Sequence, residues 1–172
     1  GVEFNITLDH SHVIFKINNP KEQKIYNTEE KILAGELILD PFIRGNVVEE
    51  WINSGWVKHC HARSAIPNNP LNIYGKHPDG TVGRGIQYPF KKPNNDEYHS
   101  LWEEKLLDPW KECILKLMKY HAKDPKSKLG QISTEFIPNT DYGEGCKYSL
   151  FEQGVECTKW MRKSWQKIIK EI

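Results

Sequence analysis

Three ionisable residues stand where strand-like segments end, and their chemical types are those that bind metal ions. Asp9 ends one segment, His61 lies near the end of a second, and Glu135 lies near the end of a third. Two carboxylates and an imidazole are suitable ligands for a divalent ion such as Mn, Mg, Co or Zn. Such groups would be costly to bury together without a metal ion or another partner. The sequence therefore predicts a metal site at these three residues.

The segments that carry these residues have the composition of β-strands, and each is followed by a helical segment. The strand candidates are Glu3–Asp9, Trp56–Arg63 and Gln131–Ile137. Strands that alternate with helices favour a parallel sheet with right-handed crossovers. In a parallel α/β barrel the C-terminal ends of the strands meet on one face, where active sites are built. We therefore expect an α/β fold in which the three site residues converge.

Side-chain alternation assigns the polar residues of these strands to one face. His59, His61 and Arg63 share a face of the second strand, and Ser133 and Glu135 share a face of the third. The residues between the two histidines and the arginine are small. They suit the opposite face, packed beneath helices.

Apolar periodicity and helix-end signals predict four helices. A proline at position 109 lies inside the third and should kink or split it. The predicted spans are Thr28 towards Leu39, Val47–Asn53, Tyr98–His121 and Leu150–Ile172.

A long loop, Ser64–Asp96, follows the second strand and is crowded with Pro, Asn and Gly. About thirty residues without regular structure are unusual in a compact domain and are typical of a binding loop. Pro78-Asp79-Gly80, within Gly75–Gly85, indicates a tight turn or hairpin. Because the loop follows a strand that carries a predicted ligand, we expect it to wall the cleft on the metal face.

Four short segments resemble motifs of the xylose-isomerase-like sugar isomerases and epimerases, a family of metal-dependent TIM barrels. Leu8–His12 is similar to their Asp-x-x-His segment, and His59–Arg63 is similar to a His-x-His-Ala-Arg segment. Gly85–Pro89 resembles a Gly-Pro-Gln segment, and Thr134–Pro138 resembles Thr-Pro-Glu-Phe-Gly-Pro. The four follow one another in the family's order and extend over nearly the whole chain.

This resemblance implies a metal held by two Glu, one Asp and one His. It assigns the Asp to Asp9, the His to His61 and the later Glu to Glu135, which would also be the catalytic base. It further implies substrate contacts by His12 and Gln87.

Arg63, inside the second motif, is expected to bind a substrate hydroxyl or phosphate. The resemblance thus implies a sugar or sugar phosphate isomerase or epimerase that transfers a proton through an enediolate. Two alternatives stay open. One is a non-catalytic barrel fragment that binds sugar or only a partner chain. The other is a zinc-dependent apurinic endonuclease relative, which should show more His and Glu ligands and a basic groove.

A complete TIM-type (β/α)8 barrel usually needs ~250 residues, whereas this chain has 172. We expect residues 1–172 to form a single C-terminal portion of about three βα units, without the N-terminal portion. The second Glu ligand would come from that portion, since Glu3 shares a strand with Asp9. The open strand edges should pair with an upstream barrel half or with a second copy of the chain.

Composition excludes several classes of protein. Twenty-four basic and 23 acidic residues give a net charge of +1, so we expect no nucleic-acid partner and no membrane partner. No apolar run approaches the ~20 residues of a membrane span. The four cysteines, Cys60, Cys113, Cys146 and Cys157, form no CxxC pair. The even number of cysteines would permit two disulfides, but disulfides concentrate in small secreted domains, so free thiols and a cytoplasmic location are expected.

Overall fold

The computed structural model describes residues 4–172 and is built around a three-stranded parallel sheet. The strand order in this sheet is first, second, fifth, and the third and fourth strands form a separate antiparallel pair. Three parallel strands in an α/β fold are thus confirmed, each shorter than predicted. Glu3 lies outside the described residues. The strands are β1 (Ile6–Asp9), β2 (Val57–Ala62), β3 (Asn72–Lys76), β4 (Val82–Gly83) and β5 (Gln131–Thr134).

Six α-helices and one 3₁₀ turn, Glu104–Leu107, are found in the described residues. The predictions for α4 and α6 are confirmed, α4 at both ends and α6 to within one residue of its C-terminus. The helices are α1 (Ser11–Ile14), α2 (Pro20–Ile25), α3 (Glu29–Leu33), α4 (Val47–Asn53), α5 (Asp108–Lys123) and α6 (Leu150–Glu171).

Two helix predictions were wrong in extent. The helix predicted from Thr28 towards Leu39 ends at Leu33, and α1 and α2 were not predicted. The helix predicted from Tyr98 begins as α5 only at Asp108, after the 3₁₀ turn. Pro109 neither kinks nor splits it, because it lies in the first turn, where a missing backbone N–H breaks no helical bond.

The main core lies on one side of the parallel sheet. Leu8 of β1 is 5% exposed, and Cys60 and Ala62 of β2 are completely buried. They belong to one apolar cluster with residues of α4, α5 and α6. Its fully buried members on the two long helices are Trp110, Cys113, Ile114, Leu117 and Cys157.

The long loop between β2 and α5 contains the predicted hairpin. β3 and β4 pair antiparallel, and the turn is closed by the His77 N–H donating to the Thr81 carbonyl at 2.8 Å. The backbone then packs against the segment after β5, because a Cβ on Gly83 would lie 1.8 Å from the Thr140 carbonyl oxygen. The Ile86 N–H donates to the Asp141 carbonyl at 2.8 Å. The loop therefore lies at the C-terminal edge of the parallel sheet.

The described residues form an open sheet with β1 and β5 at its edges. They show an α/β fold with helices on one side, and not specifically a portion of a TIM barrel. The expectation of a barrel portion therefore stays a proposal.

Candidate metal site

Asp9, His61 and Glu135 meet at the C-terminal edge of the sheet. The parallel register places Asp9 beside His61, and His61 beside Ser133, two residues before Glu135. One potential ligand atom from each of the three lies within 4.8 Å of the other two. Nδ1 of His61 is 3.1 Å from Oε2 of Glu135. The predicted convergence of the three residues is confirmed; their binding of a metal stays a prediction.

Arg63 joins the two carboxylates of this triad. Its Nη1 donates to Oδ2 of Asp9 at 2.6 Å, and its Nη2 donates to Oε2 of Glu135. Its Nε also donates to the Glu135 carbonyl at 3.0 Å. The side chain is only 3% exposed. The planar guanidinium fork thus fixes both acids and offsets one of their two negative charges.

The turn after β1 fixes Asp9 from its other side. Oδ1 of Asp9 accepts from the Ser11 backbone N–H at 2.9 Å and from its hydroxyl at 2.7 Å. His12 lies next to the acid, with Nε2 3.7 Å from Oδ2 of Asp9, and keeps 41% of its side chain exposed. Burial is the main factor that lowers the pKa of His12, and Asp9 opposes it. His12 therefore lies at the rim of the triad, and its predicted contact with substrate stays a prediction.

Tyr142, in the segment after β5, covers the guanidinium. Its ring centroid lies 4.2 Å from Cζ of Arg63, and its hydroxyl lies 3.5 Å from Nε2 of His12. The sequence pattern did not single out this residue, because it stands eight residues after the end of β5, in a polar loop without strand or helix periodicity.

His59 and Ser133 form the layer beneath the triad. Nε2 of His59 lies 2.9 Å from the Ser133 hydroxyl. The His59 and His61 rings meet edge to face, with their centroids 4.9 Å apart and their planes at 90°. The shared face predicted for these residues is confirmed, and His59 supports the ring of His61.

Gln87 is not brought to the mouth of the site. It is 2% exposed, and its side-chain Oε1 accepts from the Ile137 backbone N–H at 2.9 Å. A Cβ on Gly143 would lie 2.6 Å from its Nε2, so the segment after β5 closes over it. Gln87 therefore anchors the chain just beyond Glu135, and the substrate contact predicted for it stays a prediction.

The donor set of the triad fits a divalent cation. It offers two carboxylates and one imidazole, which Mn, Co and Zn accept, and Mg less readily because it prefers oxygen ligands. With Arg63 counted, the two acids keep one net negative charge. A carboxylate oxygen carries two lone pairs, so an oxygen that accepts from Arg63 can also bind a cation.

Comparisons of the chain with protein-family models, with curated proteins and with solved structures find no match. The likeness to the sugar isomerases therefore rests on the four short segments alone. Within the described residues, no helix combines the length and the apolar character that a membrane span requires.

Proposed function

We propose that this chain supplies a divalent-metal site to a sugar or sugar phosphate isomerase or epimerase. The observation that carries the proposal is the convergence of Asp9, His61 and Glu135 at the ends of neighbouring parallel strands. The order of the four family-like segments supports the sugar chemistry. Active sites of parallel α/β folds lie at this edge of the sheet.

The proposed reaction moves a proton from a carbon beside a carbonyl group. A bound metal ion would polarise the carbonyl oxygen and make the neighbouring C–H more acidic. Glu135 would accept that proton as general base, since its carboxylate is 32% exposed and is oriented by Arg63 and His61. His12, at the rim, would hydrogen-bond a substrate hydroxyl. Arg63 is too deeply buried to contact substrate freely and would position the two carboxylates instead.

A second candidate is a non-catalytic cluster of ion pairs. Arg63 donates hydrogen bonds to both Asp9 and Glu135. Its positive charge offsets part of the negative charge of these two half-buried carboxylates without any metal ion. The endonuclease alternative has less support. The described residues contain one group of His, Cys, Asp and Glu side chains suited to a metal, and a site for three zinc ions needs more ligands.

Metal titration separates the first two candidates. Calorimetry with Mn²⁺ and Co²⁺ should give a single site in the native protein. Asp9→Asn, His61→Gln and Glu135→Gln should each weaken it by ~100-fold or more, above the 10–100-fold effect of residues that only support ligands. Glu50→Gln, an exposed acid on α4, is the matched control and should bind as the native protein does. Equal affinities in all five proteins would leave only the ion-pair cluster.

Isotope exchange tests the chemistry. A protein that removes the proton beside a carbonyl should introduce deuterium at that carbon when a ketose or aldose is incubated in D2O. Glu135→Gln should abolish the exchange. Exchange that continues unchanged in this variant would remove Glu135 from the role of base.

We further propose that the sheet is completed by strands of another polypeptide, either an upstream barrel half or a second copy. Parallel sheets are normally covered on both faces, and unpaired edges are normally closed or protected. Here β1 and β5 are edges, and Thr7 and Gln131 are exposed on the polar face. Residues 1–172 alone should therefore be insoluble, oligomeric or partly unfolded, and a monodisperse monomer of them in sedimentation that melts cooperatively would contradict this.

The four cysteines are free, as predicted. This fits a reducing compartment, and we propose the cytoplasm.

A further inference from the structure

Three nitrogen-bearing side chains surround the buried ring of Phe15, just after the turn that holds Asp9. Cζ of Arg84 lies 5.2 Å from the ring centroid and Nζ of Lys16 lies 5.7 Å from it. The His12 ring is third, with its centroid at 6.3 Å. Phe15 itself is completely buried. It therefore forms a rigid apolar floor under two cations and an imidazole.

Arg84 is held in place by a buried acid. Its Nη2 donates to Oε2 of Glu22 at 2.7 Å and to the Tyr26 hydroxyl at 2.8 Å, while its Nε lies 3.2 Å from the same carboxylate oxygen. The Glu22 side chain is 3% exposed, whereas that of Arg84 is 26% exposed. Glu22 thus orients Arg84 and neutralises one positive charge, and the guanidinium still reaches solvent.

Lys16 has no comparable acid. Its ammonium lies 3.8 Å from the centroid of the Tyr26 ring. Among the described residues, no carboxylate oxygen comes within 4.0 Å of it. Burial lowers the pKa of Lys16 and Arg84 lowers it further, while the more distant Glu22 carboxylate opposes them. Two more acids lie nearby, since Asp9 contacts His12 and Oδ1 of Asp141 accepts from the Arg84 backbone N–H at 3.0 Å. Among the described residues, however, neither of them pairs with the Lys16 ammonium, and an anion placed beside it would offset its charge.

We infer that Lys16 and Arg84 form a subsite for an anionic group of the substrate, a phosphate or a carboxylate carried by a sugar. His12 connects this subsite to the metal site, because its Nε2 is 3.7 Å from Oδ2 of Asp9. Lysine offers a point charge and arginine a planar fork of donors, the pair of groups that proteins use for phosphate. The inference rests on the proposed function, and it narrows the substrate to sugars that carry a negative charge.

Inorganic phosphate is the probe for this subsite. Its binding to the full chain would be measured by calorimetry with EDTA present, so that no metal ion contributes. Lys16→Met keeps the apolar stem on Tyr26 and removes the charge. This variant should bind phosphate about 10-fold or more weakly, which is the loss of affinity that corresponds to one hydrogen bond from a charged group. Lys16→Arg should restore binding, and Lys21→Met, an exposed lysine on α2, should leave it unchanged.

Arg84 is a poorer target for this test, because its removal would leave the Glu22 carboxylate buried and unpaired. Phosphate that binds equally to the native protein and to Lys16→Met would overturn the subsite, whatever the metal titration gives. Phosphate binding that depends on Lys16 in a protein without a metal site would overturn the proposed function and leave the anion subsite standing.

Competition identifies the source of the anion. Displacement of phosphate by a sugar phosphate, and not by a sugar acid, would assign a phosphate group. Displacement by a sugar acid alone would assign a carboxylate. A neutral sugar that competes as well as either one would show that charge is not recognised, and would also overturn the inference.

Discussion

The two faces of the parallel sheet differ in both composition and packing. On the helix-covered face, Leu8, Cys60 and Ala62 are almost completely excluded from solvent. The opposite face carries Thr7, which is exposed, and His59, which is half-buried. Since neighbouring residues of one strand alternate between the faces, the same short strands supply alternate residues to the core and to the site. We therefore expect substitutions on the helix-covered face to affect mainly the stability of the fold, and substitutions on the polar face to affect mainly the candidate site.

The covered face is expected to show the largest effect on folding. Leu8→Ala should lower the free energy of unfolding by about 3 kcal/mol, because it removes buried apolar atoms and leaves a cavity. Thr7→Ala, one position earlier on the face that is open in the single chain, should change it by about 0.5 kcal/mol or less unless the proposed additional strands cover that face. Urea unfolding with circular dichroism measures both, and neither variant should alter Mn²⁺ affinity much. Equal losses would show that the second face is covered in the native protein, for instance by a partner.

Replacing Arg63 shows how much the polar face depends on a positive charge beside the carboxylates of Asp9 and Glu135. Arg63→Met should cost about 2–3 kcal/mol without metal, somewhat below the 3–5 kcal/mol of fully buried pairs. The expected loss of stability is smaller than for a fully buried pair because the side chains of Asp9 and Glu135 are 14% and 32% exposed, so water can solvate the carboxylates that lose their partner. A divalent ion can replace the lost positive charge. Mn²⁺ should therefore raise the melting temperature of this variant more than that of the native protein.

Lys111→Met is a control for that experiment, since this lysine forms an ion pair with the exposed Glu104 and cation–π contacts with Phe90 and Trp160, none of which belongs to the triad. It should respond to Mn²⁺ as the native protein does. An equal Mn²⁺ response in Arg63→Met would show that the ion and the guanidinium do not act on the same carboxylates.

The sequence predicted the sheet and the meeting of its polar ends more accurately than the segments between them. Strand composition, alternation and the parallel order were enough to place Asp9, His61 and Glu135 together. All of this depends on local periodicity. The residues of the proposed anion subsite were harder to find, because Lys16 and Arg84 come from distant segments and are brought together by packing on Phe15.

Helix ends were missed for a physical reason as well. The stretch from Tyr98 has helix-like apolar spacing, but its side chains pack into a separate small cluster with Tyr88 and Leu107. The Tyr88 hydroxyl accepts from the Glu103 backbone N–H at 2.8 Å, a bond that a helix would have used internally. Tertiary contacts of this kind override propensity and cannot be read from one window of sequence.

His121, which is buried on the covered side of the sheet, should make a smaller, pH-dependent contribution to the free energy of unfolding. His121 on α5 is 6% exposed, and burial is the main factor that lowers its pKa below about 6.5. The unfolded chain therefore takes up the proton first as the pH falls, and stability is lost below about pH 6.5 until the folded pKa is passed. His121→Asn should lack this contribution. The stability difference between the native protein and the variant should shrink from pH 7.5 to pH 5.5; a constant difference would mean that His121 titrates alike in both states.

The last prediction concerns the reactivity of the cysteine thiols and involves the smallest expected change in stability. Thiol reactivity measures directly how tightly the helices cover the sheet. Cys60, Cys113 and Cys157 are completely buried within the core cluster, and burial raises the pKa of each thiol. Burial also raises the pKa of the Cys146 thiol, but this residue, in the segment after β5, is only half-buried and solvent reaches it. One thiol should therefore react with Ellman's reagent in the folded protein, and Cys146→Ser should remove this phase while changing stability by about 0.5 kcal/mol or less. The other three should react only at the rate of unfolding. A second fast thiol would show that a helix separates from the sheet in the native state, and the covered face would then no longer be the rigid one.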